Sequence, residues 1–332
     1  MEDVTDTVFR RVIRAVGAPD LFFTEFTSTD GLCTAGRPRV IDRLRFTPEE
    51  RPLIAQVWGN HPERCLRVAA EVREMGFDGI DLNMGCPVRK IIKRGECGAL
   101  IDSPTLAAEL IAATREGAGD LPVSVKTRIG ISRSRAEEWI GFLLGRGLAA
   151  LTVHGRTVAQ QSEGHADWGA VALAVKLRDA LDVPTRIVGN GDVKSAVQFR
   201  ERAEETGADG IMIGRGVFEN IFVFKTIRDM QAGNNPGADF ALISPREKIG
   251  FFTYHMLIHR ETWGPGRSFH SLKKFAKTYL RAFEGAGALM DQVMHCSNHD
   301  SALAALDAWM PDGYGSRMNA AAPGTVTPSS DG

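Results

Sequence analysis

The sequence lacks an excess of charge of either sign. Its 332 residues include 40 Lys and Arg against 41 Asp and Glu, a formal net charge of −1 at pH 7. This balance excludes a protein that binds nucleic acid over its whole surface, so any polyanionic partner must meet a local basic patch. With 43% hydrophobic and 24% charged residues, the chain is predicted to fold around a large core.

Cysteine is scarce, and its pattern fits neither a disulfide framework nor a metal site. The five cysteines are odd in number and widely spaced, no pair has Cys-x-x-Cys spacing, and no apolar leader precedes them. We therefore expect a reducing, cytoplasmic location and no structural metal. The cysteines are Cys33, Cys65, Cys86, Cys97 and Cys296.

Long apolar runs are also missing. The best stretch, residues 141–153, is interrupted by Arg146 and falls short of the roughly 18 to 20 residues that a membrane helix needs. We therefore expect no membrane partner.

Short apolar runs recur instead, each followed by an amphipathic helical stretch. Strands of this kind, alternating with helices of about 10 to 15 residues, indicate a parallel sheet that is buried on both faces. Such units fit either an open doubly wound sheet or a closed barrel. The predicted strands are 21–26, 53–58, 79–83, 123–128, 151–154, 186–190 and 210–214.

Polar side chains at the strand ends favour the barrel. An open sheet gathers its ligand groups at one switch point, whereas a (β/α)8 TIM barrel gathers all strand ends around one mouth. The strand-end residues are Glu25, Gln56, Asn83, Lys126, His154, Asn190 and Arg215. The strand count is one short, because the sequence runs from Met1 directly into the N-cap pair Thr5-Asp6 and a helix. We expect the missing first strand to precede Met1.

The alternation stops after Gly216, and the pattern becomes helical from residue 245 to residue 310. Helices are predicted at 246–261, 268–284 and 301–309, with 264–266 as a loop, which together predict a small bundle. The chain thus divides into an α/β barrel domain (1–235), a helical domain (236–310) and a disordered tail (311–332).

The helical domain carries a basic segment. Residues 246–281 contain eight Lys and Arg against two Glu. Lys273, Lys277 and Arg281 lie four apart, so on a helix they form one stripe that suits phosphates. A solvated helix face is the alternative. His255 and His259, also in this segment, are assigned to the helix surface.

One predicted strand ends in a Gly-Cys-Pro turn that presents Cys86. Gly85 permits a tight approach and Pro87 fixes φ, so the thiol should lie at the barrel mouth. Cys86 could act there as a nucleophile, a metal ligand or a proton donor. With no histidine nearby in sequence, a thiol of pKa about 8.5 is mostly protonated at pH 7 and suits a general acid. A small buried hydrophobe is the alternative.

The loops after the last two predicted strands resemble a phosphate cradle. Residues 190–192 read Asn-Gly-Asp and residues 214–216 read Gly-Arg-Gly, which supply backbone amides and one guanidinium. Each motif alone could be a turn. Lys126, over the same mouth, would stabilise an anionic reduced flavin, unless it forms a salt bridge in the barrel.

As a set, these motifs resemble the tRNA-dihydrouridine synthases, in order, from residue 1 to about residue 310. The matching segments are MEDVTD (1–6), TEF (24–26), QVWG (56–59), DLNMGCP (81–87), GAL (98–100), VKTRIG (125–130), HGRT (154–157), NGD (190–192) and GRG (214–216). The resemblance implies an FMN barrel with a helical tRNA-binding domain, which uses NADPH to reduce uridine in tRNA to 5,6-dihydrouridine.

The resemblance also assigns roles to residues. Cys86 matches the proton donor to uracil C5, with hydride passing from flavin N5 to C6, and Asn83 matches the residue that holds the flipped uracil. Cys97 and Asp3 stand where small residues or glycine are more common, and neither is given a role. Flavin contacts fall on Met1, Gln56, Lys126 and His154, the phosphate end on Asn190, Gly191, Asp192, Gly214 and Arg215, and substrate contacts on Arg128, Lys273, Lys277 and Arg281.

Two other functions stay open. One is an FMN barrel oxidoreductase that acts on a free small molecule, for which a basic helical domain has no purpose. The other is a tRNA-binding or folding factor without catalysis. No protein partner is implied by the sequence.

Overall fold

The computed structural model describes residues 1, 3–233 and 243–310. The chain separates into two compact units, residues 1–236 and residues 237–332, which are described in turn. Of the helices in the described ranges, none combines the length and the apolar character that crossing a bilayer requires. The predicted tail, 311–332, and the start of the predicted helical domain, 236–242, lie outside the described residues.

The first unit is built on one parallel sheet. Its strands are β1 (Phe22–Phe23), β2 (Thr27–Ser28), β3 (Leu53–Trp58), β4 (Gly79–Met84), β5 (Val123–Arg128), β6 (Ala150–His154), β7 (Arg186–Asn190) and β8 (Gly210–Met212). Both β1 and β2 pair with β3, and from β3 to β8 each strand pairs in parallel with the next. Parallel neighbours in chain order, joined by helices, are the arrangement of a (β/α)8 barrel, so the predicted fold class is confirmed. In the described residues β1 and β8 are the sheet edges.

Helices connect and precede the strands. In the first unit they are α1 (Thr7–Gly17), α2 (Thr29–Cys33), α3 (Pro62–Glu74), α4 (Arg89–Ile92), α5 (Pro104–Ala118), α6 (Ala136–Leu144), α7 (Gly169–Ala180), α8 (Ala196–Thr206), α9 (Gly216–Glu219) and α10 (Val223–Gln231). The Asp6 side chain accepts a hydrogen bond from Phe9 N at 2.9 Å and begins α1, as its N-cap signal predicts.

The predicted strand 21–26 is wrong in its extent, since only Phe22–Phe23 of it is a strand and the next short strand, Thr27–Ser28, begins after it. The hydroxyls of Thr24 and Thr27 both donate to the carbonyl oxygen of Glu25, at 2.9 and 3.3 Å. The Thr24 hydroxyl also accepts from Gln56 N at 3.0 Å. Side-chain hydroxyls thus take over backbone groups that a continuous strand would pair, and the ladder is interrupted.

The second unit is helical in its described part. It contains α11 (Pro245–Trp263), α12 (Ala276–Tyr279), α13 (Ala286–His295) and α14 (His299–Asp307). The predicted loop at 264–266 forms a single 3-10 turn. The helix α13 was not predicted, although its buried residues Ala286, Leu289 and Val293 follow helical spacing.

The single helix predicted over 268–284 is wrong. Residues Phe269–Phe275 form a 3-10 helix, and the short α12 that follows ends at Tyr279. The buried side chains Phe269, Leu272 and Phe275 are spaced three apart, which is the repeat of a 3-10 helix and not of an α-helix. Lys273, Lys277 and Arg281 therefore do not form one α-helical stripe.

Two histidines predicted on the surface of this unit are instead buried in α11. His255 is 1% exposed and lies 2.9 Å from the Tyr279 hydroxyl through its Nδ1. His259 is 3% exposed and contacts His299 and Ser271 through its two ring nitrogens. Burial disfavours the imidazolium form, so the pKa of His255 falls to about 3 and that of His259 to about 4.

Candidate active site

The strand register brings the predicted strand-end residues to one face of the sheet. Gln56, Asp81 and Ser124 are partners across β3, β4 and β5. Two residues further along, Asn83 is the partner of Lys126. Because alternate side chains of a strand share a face, these five residues point to the same side.

The next row completes the set. Arg128 is the partner of His154 across β5 and β6, and His154 is the partner of Asn190 across β6 and β7. The intervening Thr127 points to the other side, where its hydroxyl accepts from Trp139 Nε1 of α6 at 2.8 Å. The functional side chains thus face the barrel interior, while their neighbours contact the helices.

A chain of hydrogen bonds links the first two rows. Asn83 Nδ2 donates to Gln56 Oε1 at 3.2 Å, and Gln56 Nε2 donates to Asp81 Oδ2 at 2.8 Å. From the other side, Ser124 Oγ donates to Asp81 Oδ1 at 2.6 Å. Both carboxylate oxygens of Asp81 are therefore satisfied although the residue is fully buried.

Burial shifts the ionisation of two groups in these rows. It raises the pKa of Asp81 to about 6, against the hydrogen bonds from Ser124 and Gln56. Burial also lowers the pKa of Lys126 to about 8, and the nearby Arg128 guanidinium acts in the same direction. At pH 7 the lysine is therefore still mostly cationic.

The Gly-Cys-Pro turn is held from both sides. Asn83 Oδ1 accepts from Gly85 N and from Cys86 N, each at 3.0 Å. Arg128 Nε donates to Gly85 O at 2.8 Å, and Arg128 Nη1 donates to Thr157 O at 2.8 Å. Arg128, predicted as a substrate contact, is only 6% exposed and holds the backbone that carries Cys86.

Cys86 itself is 8% exposed and packs in a buried cluster with Trp58, Ile91 and Cys97, against Phe26. Cys86 and Cys97 are thus neighbours in one cluster. Sequence reasoning gave Cys97 no role, since eleven positions along an irregular segment do not indicate a contact.

Arg156 organises the far side of the site and was not predicted as a site residue. Its Nη2 donates to both carboxylate oxygens of Asp192, at 2.8 and 2.6 Å, and to Gly164 O. Its Nη1 lies 3.2 Å from His154 Nε2. A guanidinium can only donate, so His154 Nε2 accepts and Nδ1 carries the proton.

His154 is accordingly neutral. Burial lowers its pKa to about 2, and four cations add to this effect. Those cations are Lys126, Arg128, Arg156 and Arg215. Positive charges thus surround one imidazole at the strand ends. Among the nearby carboxylates, Asp81 interacts with Lys126, and Asp192 with Arg156 and Arg215.

The cradle residues have different local environments. The Asp192 carboxylate is engaged by Arg156 and by Ala166 N at 2.9 Å, which leaves the exposed Arg215 4.0 Å from its Oδ1. Gly191 has φ +135°, and a Cβ there would lie 2.5 Å from Ala166 Cβ. Beside Gly214, by contrast, an added Cβ meets nothing within 4 Å. The space next to Gly214 is therefore open, with the exposed Arg215 beside it.

The remaining loop-end residues lie as follows. Asn190 Nδ2 donates to Met212 O at 2.8 Å and ties β7 to β8. The Met1 amino group donates to Thr5 Oγ1 at 2.6 Å, and Val4 N donates to Glu25 Oε1 at 2.8 Å. The first residues of the chain are therefore attached next to the end of β1.

The basic residues predicted to hold tRNA lie in the second unit. Lys277 is exposed, whereas Lys273 and Arg281 are half-buried. Lys273 Nζ donates to Met294 O at 2.6 Å and so has a structural contact. Of the three, Lys277 has the side chain most available to a polyanion.

A basic segment in the first unit was missed. The exposed side chains of Arg89, Lys90, Lys93 and Arg94 follow within eight residues of Cys86. Arg94 is paired with Glu96 at 2.7 Å and lies over the Trp58 ring. The signal in the sequence was the run of four cations just after the turn, with Glu96 the first acidic residue after it.

Comparisons with known proteins identify the family of this chain. The family model described as Dihydrouridine synthase (Dus) matches residues 1–312. The chain is 40% identical over 310 residues to the probable tRNA-dihydrouridine synthase 2 of Bacillus subtilis (strain 168), covering 92% of this chain and 91% of that protein. It is 39% identical over 311 residues to a probable tRNA-dihydrouridine synthase of Staphylococcus aureus (strain COL), covering 92% and 90%.

Among solved structures, a complex of 2-naphthoyl-CoA reductase with 2-naphthoyl-CoA is similar in fold, with a TM-score of 0.51 at 11% identity. The similarity covers 69% of this chain and 47% of that one. The resemblance read from the motifs and the predicted enzyme class are confirmed by the sequence comparisons. The chain belongs to the dihydrouridine synthase family.

Proposed function

We propose that this protein is an FMN-dependent tRNA-dihydrouridine synthase that uses NADPH to reduce a uridine of tRNA to 5,6-dihydrouridine, in the cytoplasm. The observation that carries the proposal is the thiol of Cys86, held by Asn83 and Arg128 beside a row of inward-facing polar groups. When bound, FMN supplies the hydride that reaches uracil C6.

The residues present fit an anionic flavin. Lys126 offers a half-buried cation, and His154 offers an Nδ1 proton because its Nε2 is occupied. Gly214 leaves open space, and Arg215 supplies an exposed guanidinium next to it. Four cations around one site are favourable for a ligand that carries a phosphate dianion. Gln56 on β3 and Asn190 on β7 are the further strand-end residues that we assign to the flavin site.

Binding of the uracil falls to Asn83 and Cys86. The base must leave its stack to enter a buried site. The Asn83 side-chain oxygen accepts from two backbone amides, and one of its Nδ2–H groups donates to Gln56. The second Nδ2–H group remains for a uracil carbonyl. Cys86, which those amides position, then delivers its proton to C5.

Binding of the rest of the tRNA falls to basic side chains in both units. Folded RNA is recognised mainly by shape and backbone, so exposed cations suffice. Lys277 serves in the helical unit, and the segment after Cys86 serves in the barrel unit.

The test of the proposal is Cys86→Ala. FMN content and flavin reduction by NADPH should be unchanged, since neither uses the thiol. Dihydrouridine formation should slow by about 10² to 10⁴, the usual effect of a positioned acid. The measurement is single-turnover reoxidation of the reduced flavin by tRNA.

Cys65→Ala is the matched control, because Cys65 is also buried but lies on α3, away from the site. It should react at the wild-type rate. A near-normal rate for Cys86→Ala would show that the proton comes from elsewhere. Reoxidation by free pyrimidines or other small acceptors but not by tRNA would favour the small-molecule oxidoreductase. A protein without FMN would favour the non-catalytic factor.

A further inference from the structure

Two thiols lie in one buried cluster beside the strand ends. Neither Cys86 nor Cys97 forms a disulfide, and both side chains pack in this cluster. The backbones are also close, since Gly98 N donates to Cys86 O at 3.4 Å. Trp58 and Ile91 pack around the pair. The contact is thus fixed by the fold of the segment after the turn and not by the two side chains alone.

The two thiols differ in access. Cys86 is 8% exposed and lies where a substrate must reach it, whereas Cys97 is 0% exposed. Burial and the neighbouring Cys86 raise the pKa of the Cys97 thiol well above its usual value. A small oxidant therefore reaches Cys86 first, and Cys97 is placed to react second.

We propose that Cys86 and Cys97 are an oxidative modification site, at which a peroxide converts the two thiols into a reversible disulfide. In the first step the Cys86 sulfur attacks hydrogen peroxide, an S–O bond forms, the O–O bond breaks and water is released. In the second step the Cys97 sulfur attacks the resulting sulfenic acid, the S–S bond forms and the S–O bond breaks, and the Cys97 proton leaves with hydroxide as water. Two thiols and one peroxide thus give one disulfide and two waters.

The contact makes the second step intramolecular. The two side chains already pack in the same buried cluster, so the second thiol does not have to come from another molecule. The capture of a sulfenic acid by a neighbouring thiol also prevents its further, irreversible oxidation to sulfinic acid. Cys97 thereby protects the one thiol that the proposed reaction cannot lose.

The consequence for activity rests on the proposed function. A disulfide has no proton to give, so dihydrouridine formation stops until a reductant restores the thiols. The covalent change itself does not depend on that function, and it can be observed separately.

The experiment treats the FMN-loaded protein with hydrogen peroxide, blocks remaining thiols with N-ethylmaleimide and digests with trypsin. Lys90, Lys93 and Arg94 lie between the two cysteines, so digestion separates their peptides unless a disulfide joins them. The expected result is a linked Cys86–Cys97 peptide pair, about 2 Da lighter than the sum of its reduced peptides, which dithiothreitol separates. Dihydrouridine formation should be lost and then recovered in step with the link.

Three variants make the result decisive. The first two are Cys97→Ala and Cys97→Gly, of which the glycine suits the φ of +51° at this position. Both should give no link. After peroxide, each should lose activity relative to its own untreated rate, and dithiothreitol should not restore it. Cys65→Ala should behave as the wild type. Sulfinic acid on Cys86 of the wild-type protein without a link to Cys97, or a link to another cysteine, would overturn the proposal. A link without any dihydrouridine synthesis would instead count against the proposed function.

Discussion

At the scale of residues, the site depends on contacts between loops that are separated in sequence. Arg156 contacts Glu163 and Gly164 of its own loop and also Asp192, 36 residues further along the chain. The motif that contains it could be read from the sequence, but its function as the group that neutralises Asp192 could not, because that requires the loops after β6 and β7 to be adjacent. Strand-end positions are predictable from a pattern, whereas the choice of partner is set by register.

Lys126 gives a prediction about pH. Its pKa is about 8 in the protein, and a bound anion next to it should raise that value. FMN binding then takes up a proton, so the affinity should fall as pH rises above about 8, by at most about tenfold per pH unit. The measurement is the Kd of FMN between about pH 7 and pH 9.

The matched variants are Lys126→Met, which removes the titrating group, and Lys176→Met, which removes an exposed lysine of α7. The first should bind FMN more weakly at pH 7 and lose most of the pH dependence, and the second should keep both properties. An equal pH dependence in Lys126→Met would show that another group titrates.

At the scale of elements, β3 and β4 were predictable because each is a short run that is buried at every position. The stretch 268–284 was not, since its pattern was interpreted as one α-helix while the buried residues follow a repeat of three. The apolar spacing decided the element, because burying Phe269, Leu272 and Phe275 outweighs any arrangement of exposed charges.

The basic segment after Cys86 gives a prediction about tRNA binding. Arg89→Glu combined with Lys93→Glu should raise the KM for tRNA and reduce its salt dependence, because fewer phosphates are neutralised. FMN content should not change. The measurement is the steady-state rate at several salt concentrations.

A charge-matched control is Lys176→Glu combined with Arg200→Glu, two exposed residues on the helices α7 and α8. The same change in net charge at this distant place should leave the KM for tRNA close to that of the wild type. If both double variants are equally impaired, the segment has only a general electrostatic effect.

At the scale of the whole molecule, the two units differ in what stabilises them. The barrel unit buries its ionisable groups in hydrogen-bonded rows, while the helical unit buries neutral histidines. The unfolded chain binds protons on those histidines below about pH 6.5, but the folded one does not until far lower pH. Stability of the helical unit should therefore be fully present above pH 6.5 and be lost as the pH falls.

His255 tests this expectation. Its pKa is about 3 because of burial, with smaller effects of His259 and Lys274. Between about pH 6.5 and pH 5, the unfolding free energy of the wild type should therefore fall, and the fall should be smaller by about 1 to 2 kcal/mol in His255→Gln. Urea unfolding at the two pH values measures this. His295→Gln, at an exposed position of α13, should keep the wild-type dependence. An identical pH dependence in all three proteins would contradict the assignment.

The row formed by Gln56, Asp81 and Ser124 has a consequence for how the sheet selects one alignment. A slip of β4 by a single residue would turn the Asp81 carboxylate towards the apolar layer of helices, away from both of its donors. The apolar residues on either side, Ile80 and Leu82, would move to the opposite face, where a sheet that is covered on both faces can still bury them. The buried acid therefore penalises misaligned sheets that the hydrophobic pattern alone would accept.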